Sequence, residues 1–449
     1  MMSTLLGRIK VFILVAGDIA ILYLALLATL VLRYGQNCSL QWQEHFFPFS
    51  IIYAFWILAF YIIGLYEISM ARNNLYFFIT LAKVLAIDAG LAIIFFYFFP
   101  FFKVTPKTNL FINLLIFAVL FVAWRQFFNR FIRSRALLNN VLVIGQSQEA
   151  KELIRYINDS PQLGYRIKKI VEPNEVEILY DLTHVIAQDR IQVIITSVNP
   201  HKNSELVRNL YQCIPLKITL ADLPSFYEKI TGKVPVSAIE EVWFLENLMT
   251  GKKIVFEAVK RVFDMIASIL GGIIALILYP FIALAIKLDS SGPIFYSQKR
   301  VGQDNKIFEV VKFRSMIKNA EENGAQWAKK NDGRITRVGN FLRKTRLDEL
   351  PQLWNILKGD MSFVGPRPER PEFAFSNEIL SEIPFYQIRH TIKPGLTGWA
   401  QIKYPYGSSI KDTLQKLQYD LYYIKNRSLF LEAAIILKTV KTVLSGGGR

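Results

Sequence analysis

The chain is poor in cysteine, in histidine and in acidic residues. Its two cysteines, Cys38 and Cys213, stand far apart in different kinds of segment. That spacing excludes a disulfide framework and a cysteine metal site. Four histidines (His45, His184, His201 and His390) include no HxxH or HExxH spacing. A zinc-dependent hydrolase of that kind is therefore excluded, and any chemistry has to rest on carboxylates. Against 53 Lys and Arg stand only 36 Asp and Glu, a net charge of +17. Such an imbalance requires anionic partners: nucleic acid, anionic lipid or phosphorylated substrates. No small-residue cleavage site follows the first apolar run, so that run is not read as a signal peptide.

What the chain does have is apolar residues, 52% of the total. Its 449 residues are too many for one ordinary domain. Apolar runs at 11–32, 49–66, 76–102 and 110–124 predict four transmembrane helices within residues 1–136. Arg8 and Lys10 flank the first; Arg125, Arg130, Arg133 and Arg135 follow the last. Positive flanks on both sides place both ends in the cytoplasm, with Lys103 and Lys107 a weaker contrary signal. Asp18, Lys83 and Asp88 fall inside the runs, where charges need partners; a pair such as Asp18 with Lys83 is expected. Membrane segments make lipid and phosphorylated substrates, not nucleic acid, the expected anionic partners.

Composition turns soluble over 137–250. "NNVLVIGQSQEAKELIRYI" reads as strand, glycine turn and amphipathic helix, and "IQVIITS", "SELVRNLYQC" and "LKITLAD" continue the alternation. The pattern predicts a Rossmann-like, doubly wound α/β domain. In its first turn, Ser147 and Ala150 stand where a dinucleotide fingerprint has glycine, which argues for a structural or regulatory domain rather than a nucleotide site. Tyr165 and Lys169 have the Y-x-x-x-K spacing of short-chain dehydrogenases but fall in a predicted strand, so the match is read as chance. Residues 250–253 read as a linker.

A fifth apolar run, 265–286, has basic flanks on both sides: Lys260 and Arg261 before, Lys287, Lys299 and Arg300 after. Translocating either side is disfavoured. Pro280 lies within the run, and proline kinks or breaks a helix. A re-entrant helix over about 262–288, broken at Pro280, is expected.

The third domain, 251–449, is predicted to be mixed α/β and mainly helical. Residues 287–370 hold 17 Lys and Arg against 10 Asp and Glu. Within "RLDELPQLWNILKGDMSFVGPRPER" an acidic pair, Asp348 and Glu349, precedes Pro351, a residue suited to a first helical turn, and Gly359 suits the helix end. A helix N-terminus favours anions. Neighbouring arginines are expected to hold both carboxylates ionised. Such a carboxylate beside phosphate can act as nucleophile or hold a divalent metal. Arg367 between Pro366 and Pro368 is a preorganised guanidinium fork for phosphate. These residues point to phosphoryl transfer at a membrane surface.

The stretches "SSGPIFYSQKRVGQDNKIFEVVKFRSM", "TRVGNFLRKTRLDELPQLWNILKGDMSFVGPRPERPEF" and "IKPGLTGWAQI" resemble the bacterial sugar transferases, the polyprenyl-phosphate hexose-1-phosphate transferases. With four preceding helices and a Rossmann-like domain, the chain resembles their large monotopic subfamily. The resemblance implies transfer of a sugar-1-phosphate from a UDP-sugar to undecaprenyl phosphate, with release of UMP and with Mg²⁺. This is the reaction that begins exopolysaccharide, capsule or O-antigen synthesis on the bacterial inner membrane. It implies Asp348 as nucleophile and Glu349 as its partner, both near the metal. Arg343, Arg367 and Lys312 match phosphate-binding positions, and Pro280 the helix break, although Tyr279 stands where known members have serine. A homodimer is the family-level expectation. The competing readings are a membrane-bound nucleotide-sugar dehydratase, which needs a second intact glycine-rich turn, and a non-catalytic scaffold for polysaccharide assembly. The aromatic stretch 404–423 and the amphipathic run 429–444 suit either an interfacial platform or core packing.

Overall fold

A computed structural model describes residues 2–98, 107–132, 134, 138–172, 182–198, 204–248, 254–318, 320, 332–404, 407 and 409–444. The expected linker 250–253 and the charges Lys103, Arg133 and Arg135 lie outside them. The chain forms two compact units, Met1–Asp222 and Leu223–Arg449.

The first unit opens with four long helices: α1 (Met2–Tyr34), α2 (Cys38–Ile63), α3 (Leu75–Phe98) and α4 (Lys107–Ile132). A short 3-10 turn joins α1 to α2, and Gly7–Ile63, Leu75–Phe98 and Thr108–Ile132 are long and apolar enough to cross a membrane. Trp56, Phe60, Phe117 and Phe121 are fully buried between them. The charge pairing differs from expectation. Buried Asp18 accepts from Arg125 Nη2 at 2.5 Å, while Lys83 is exposed. The cause is helix packing: α1 runs against α4, so closely that a Cβ on Gly17 would meet the Trp124 ring at 2.0 Å.

The same unit continues with β1 (Asn139–Ile144), α5 (Gln148–Asn158), β2 (Tyr165–Val171), α6 (Leu182–Asp189), β3 (Ile191–Thr196), α7 (Ser204–Gln212) and β4 (Thr219–Asp222). The strands form a parallel sheet in the order β2-β1-β3-β4. Central β1 and β3 each carry a buried apolar run, Val141–Ile144 and Val193–Ile195, as parallel strands covered on both faces do. Tyr165 and Lys169 lie in β2, as the chance reading requires. At the first turn Gly145 takes φ +93, and Ser147 caps α5 by accepting from Ala150 N at 3.2 Å.

The second unit holds α8 (Leu223–Thr231), α9 (Glu241–Leu248), α10 (Ile254–Asp289), the antiparallel hairpin β5 (Phe295–Val301) and β6 (Ile307–Phe313), α11 (Arg337–Thr345), α12 (Gln352–Lys358), the parallel pair β7 (Ser362–Val364) and β8 (Gly395–Thr397), α13 (Ile410–Asn426) and α14 (Leu429–Leu444). The compact boundary lies upstream of the compositional one at 250, because Val234, Val236, Ile239 and Phe244 bury in one core with Leu417, Leu421 and Tyr423. The expected break at Pro280 is not seen: α10 is a single helix of 36 residues that runs through Pro280, which removes one backbone donor without ending the helix. It too is long and apolar enough to cross a membrane. Near Pro280, Tyr279, Ile282 and Ile286 pack on Phe313 and Leu342, while Ile273, Leu276, Ile277 and Phe281 are exposed.

Candidate active site

Two short helices frame the acidic pair. Thr336 caps α11 by accepting from Gly339 N at 3.0 Å, and Arg343 stands in its last turn. Arg346 then takes the left-handed conformation, φ 58, uncommon for a side chain of this size. That reversal turns the chain into a tight 3-10 turn, Leu347–Glu349. Pro351 precedes α12, and Gly359 closes it at φ +97, a conformation glycine adopts without penalty. The expected helix start and stop are therefore where the sequence put them. Asp348 and Glu349, however, sit in the preceding 3-10 turn rather than in the helix itself.

The fold brings Asp348, Glu349, Arg343, Arg367 and Lys312 to one cavity of about 960 Å³. Pro280 lies apart from it, within α10. Lys312 comes from β6, and Arg367 from the loop after β7, where Pro366 and Pro368 are both buried. Glu349 Oε1 accepts from three cations: Arg346 Nη1 at 3.2 Å, and Lys312 Nζ and Arg367 Nη2 at 3.3 Å each. Asp348 is equally buried, yet its Oδ1 has no hydrogen-bond partner among the described residues. Arg343 Nη1 is likewise buried and without a partner.

These surroundings split the pair electrostatically. Burial alone would raise the Glu349 carboxyl; Lys312, Arg367 and Arg346 outweigh it and hold the group well below the usual range. For Asp348 the balance reverses. Burial, joined by the adjacent Glu349 charge, pushes it up to about 6 against Lys312, Arg346 and Arg343. The expectation that arginines hold both carboxylates low is thus corrected for Asp348. Burial outweighs the cations near it, Arg346 pairs with Glu349, and Glu349 itself repels a second negative charge. Burial lowers the Lys312 ammonium, and Glu349 opposes that.

Reading the sequence missed several supports. Arg389, nearly fully buried, donates to the Arg367 carbonyl at 3.2 Å and pairs with Asp420 at 2.8 Å. Arg300 donates to the Pro368 carbonyl at 3.3 Å. The short basic clusters were the available signal, but backbone acceptors have no sequence signature. The aromatic stretch resolves toward core packing for Tyr423, whose hydroxyl donates to the Val364 carbonyl at 3.1 Å. Large apolar residues are exposed on α10, at Phe341 of α11, at Trp354 of α12, and at Leu429 and Phe430 of α14, among others.

The carboxylates of the site make at most a partial set of donors for a divalent metal. No group of three His, Cys, Asp or Glu side chains able to hold an ion occurs among the described residues. Mg²⁺, however, is commonly held by one or two carboxylates with substrate phosphates supplying the rest. The buried, unpartnered Asp348 Oδ1 fits such a partial site, with Glu349 beside it.

The features together are those of a membrane-helix protein whose second unit surrounds a buried Asp-Glu pair with cations in an open cavity. Comparison with known proteins gives the family. Residues 255–446 match the bacterial sugar transferase family profile. The chain is 41% identical over 244 residues to the UDP-N-acetylgalactosamine-undecaprenyl-phosphate N-acetylgalactosaminephosphotransferase of Aeromonas hydrophila, covering 54% of this chain and 56% of that protein. It is 33% identical over 320 residues to the undecaprenyl-phosphate glucose phosphotransferase of Komagataeibacter xylinus, covering 69% and 59%. It is 40% identical over 192 residues to the exopolysaccharide production protein PSS of Rhizobium leguminosarum bv. phaseoli, covering 42% of this chain and 96% of that one. The chain belongs to the bacterial sugar transferase family. It spans less than two thirds of the length of the Aeromonas and Komagataeibacter proteins.

Proposed function

We propose that this protein transfers a sugar-1-phosphate from a UDP-sugar to undecaprenyl phosphate, at the cytoplasmic face of the bacterial inner membrane, as the first membrane step of a surface polysaccharide. The observation that carries the reading is the split acidic pair: one carboxylate neutralised by three cations, the other buried, unpartnered and open to a cation-lined cavity. Names of the Aeromonas and Komagataeibacter relatives supply the acceptor.

The chemistry balances without a proton donor. Asp348 Oδ1 forms a bond to the β-phosphorus of the UDP-sugar, and the bond from that phosphorus to the bridging oxygen breaks. UMP leaves with the electron pair. An oxygen of undecaprenyl phosphate then attacks the same phosphorus and returns Asp348 as carboxylate. Glu349 holds Lys312, Arg346 and Arg367 in place, and those cations with Arg343 receive the phosphate oxygens. Mg²⁺, held by Asp348 and Glu349, would supply further neutralisation of the diphosphate. A covalent step lets a soluble donor and a lipid acceptor occupy the cavity in turn.

The membrane arrangement follows the same reading. Helix α10 is re-entrant: Arg261 and Asp264 near its start and Tyr279, Ile282 and Ile286 toward its end all pack on the same unit, which supports keeping that unit on one side of the bilayer. The middle domain is Rossmann-like and structural, supported by the sheet order and by the Ser147 cap that occupies the first helix turn. A Lys299→Cys reporter, in a chain lacking Cys38 and Cys213, should react with a membrane-impermeant maleimide only from the cytoplasmic side. Labelling of intact cells would mean that α10 spans.

The experiment that tests the reaction is UMP release by the full chain with undecaprenyl phosphate, Mg²⁺ and a panel of UDP-glucose, UDP-galactose and UDP-N-acetylgalactosamine. One donor should be turned over, and chelation of the metal should stop it. No UMP from any donor, with the protein folded in a bilayer, would favour the scaffold reading.

A further inference from the structure

Helix α10 is apolar over most of its surface, yet one stripe of it is polar and buried. Lys260, Asp264 and Ser268 stand one turn apart, all nearly inaccessible, with Arg261 beside them. Lys260, Arg261 and Asp264 meet backbone groups of two different elements. Asp264 Oδ1 accepts from Phe363 N at 3.1 Å, and Lys260 Nζ donates to the Val364 carbonyl at 3.0 Å while pairing with Glu432. Arg261 donates to the carbonyls of Ile356 and Leu357 at 2.6 and 2.7 Å. Farther along, Gly271 lets α10 approach α12; a Cβ there would meet Leu353 at 3.1 Å.

Those two elements carry the two halves of the site. Strand β7 runs straight into Pro366-Arg367-Pro368, and α12 begins just after Asp348 and Glu349. Strand β7 has only three residues and, among the described residues, one strand partner, β8. Away from β8 the backbone N–H of Phe363 would be orphaned without Asp264, and the carbonyl of Val364 would keep only the Tyr423 hydroxyl; buried orphans are destabilising. Side chains of the membrane helix take the place of the missing strand. Arg261 does the same for the Leu357 carbonyl at the end of α12, and joins the Gly359 N–H on the Ile356 carbonyl.

We propose that Lys260, Arg261 and Asp264 are positioning residues: α10 fixes the strand bearing Arg367 against the helix following Asp348-Glu349, and is a structural part of the site as well as its anchor. This rests on the reading that Arg367 and the acidic pair perform the transfer. No ligand contact is required of the three residues. Their effect passes through Arg367, which reaches Glu349 at 3.3 Å.

The test uses the full chain in detergent micelles, with Asp264→Ala and Asp264→Asn, each alone and combined with Arg367→Lys. Deuterium uptake is followed over residues 362–370 and UMP release over the donor panel. Asp264→Ala should speed exchange in that segment about tenfold, an opening of the local structure rather than of the whole chain. Its kcat should fall about 30-fold with KM changed less than about threefold. In the Arg367→Lys background it should lower turnover by less than about twofold further, the signature of two residues acting in one unit. Asn keeps an oxygen that can accept from Phe363 N, so Asp264→Asn should restore both exchange and turnover. Should Asp264→Ala not fold, Lys260→Met is scored on the same measurements. Unchanged exchange over 362–370, or a full additional loss on top of Arg367→Lys, would overturn the proposal. Exchange does not depend on catalysis. If Arg367→Lys keeps full turnover, the reading of the site falls while the exchange result alone decides the positioning role.

Discussion

Replacing Asp348 by asparagine should abolish UMP release, by at least ~10³-fold in kcat, while the protein becomes no less stable. The amide oxygen of asparagine is close in shape to Oδ1 but is a poor nucleophile, and no other carboxylate near it is available: Glu349 is engaged by three cations. Stability should move the opposite way. The folded-state pKa of Asp348 lies above its ordinary value, at about 6. Between roughly pH 4 and 6 the folded state therefore binds more protons than the unfolded state, and stability declines as pH rises through that window. Above pH 6 the wild-type chain carries the full penalty of an ionised, buried carboxylate; asparagine removes it. The variant should melt at an equal or higher temperature than wild type at pH 7.5 and at the same temperature near pH 4. Calorimetry at both pH values with UMP release at pH 7.5 checks this. Full turnover by the variant would remove Asp348 as nucleophile. A lowered melting temperature at pH 7.5 would mean that Asp348 is stabilised in the folded state, contrary to its burial.

The parts of this site legible in the sequence are those set by local stereochemistry. Pro351 and Gly359 bound α12 because one fixes φ for a helix start and the other tolerates φ +97 at its end. Alternating strands and helices in 139–222 gave the parallel sheet, since buried parallel strands are continuously apolar. The basic clusters contribute Arg300, Lys312, Arg343 and Arg346 to the cavity lining. What could not be read is which charge meets which. Asp18 pairs with Arg125, 107 residues away, because α1 lies on α4; sign complementarity serves Lys83 equally well. Lys312 and Arg367 reach Glu349 from 37 residues upstream and 18 downstream, so two of the three cations that hold Glu349 come from elements that its local sequence does not show. The buried stripe on α10 was legible as basic flanks to an apolar run. Its partners are backbone atoms of α12 and β7, and only the folded chain brings them together.

Glu349→Gln should have the second largest effect, and it separates the two carboxylates by their titration. In the wild-type chain, kcat/KM should fall about tenfold per pH unit below about pH 6, as Asp348 takes up a proton and ceases to be a nucleophile. Glu349 helps to set that position, because its charge raises Asp348 while Lys312, Arg346 and Arg343 lower it. With glutamine at 349 the repulsion is gone and the three cations act on Asp348 alone. The acid limb should move to lower pH. Turnover at pH 7.5 should nonetheless fall by about 10²-fold, since Lys312, Arg346 and Arg367 lose the carboxylate that gathers them and no longer converge on the phosphates. Stability should fall as well. The folded-state pKa of Glu349 lies below its ordinary value, so its contribution is present above about pH 4.5 and lost as pH drops further. Glutamine forfeits that contribution at pH 7.5 and leaves the cations without their partner. A pH–rate profile with melting curves at pH 7.5 checks all three directions. A limb that stays near pH 6 would show that Glu349 does not set the ionisation of Asp348. A limb that moves down while turnover collapses would assign ionisation and attack to Asp348 and the organisation of positive charge to Glu349.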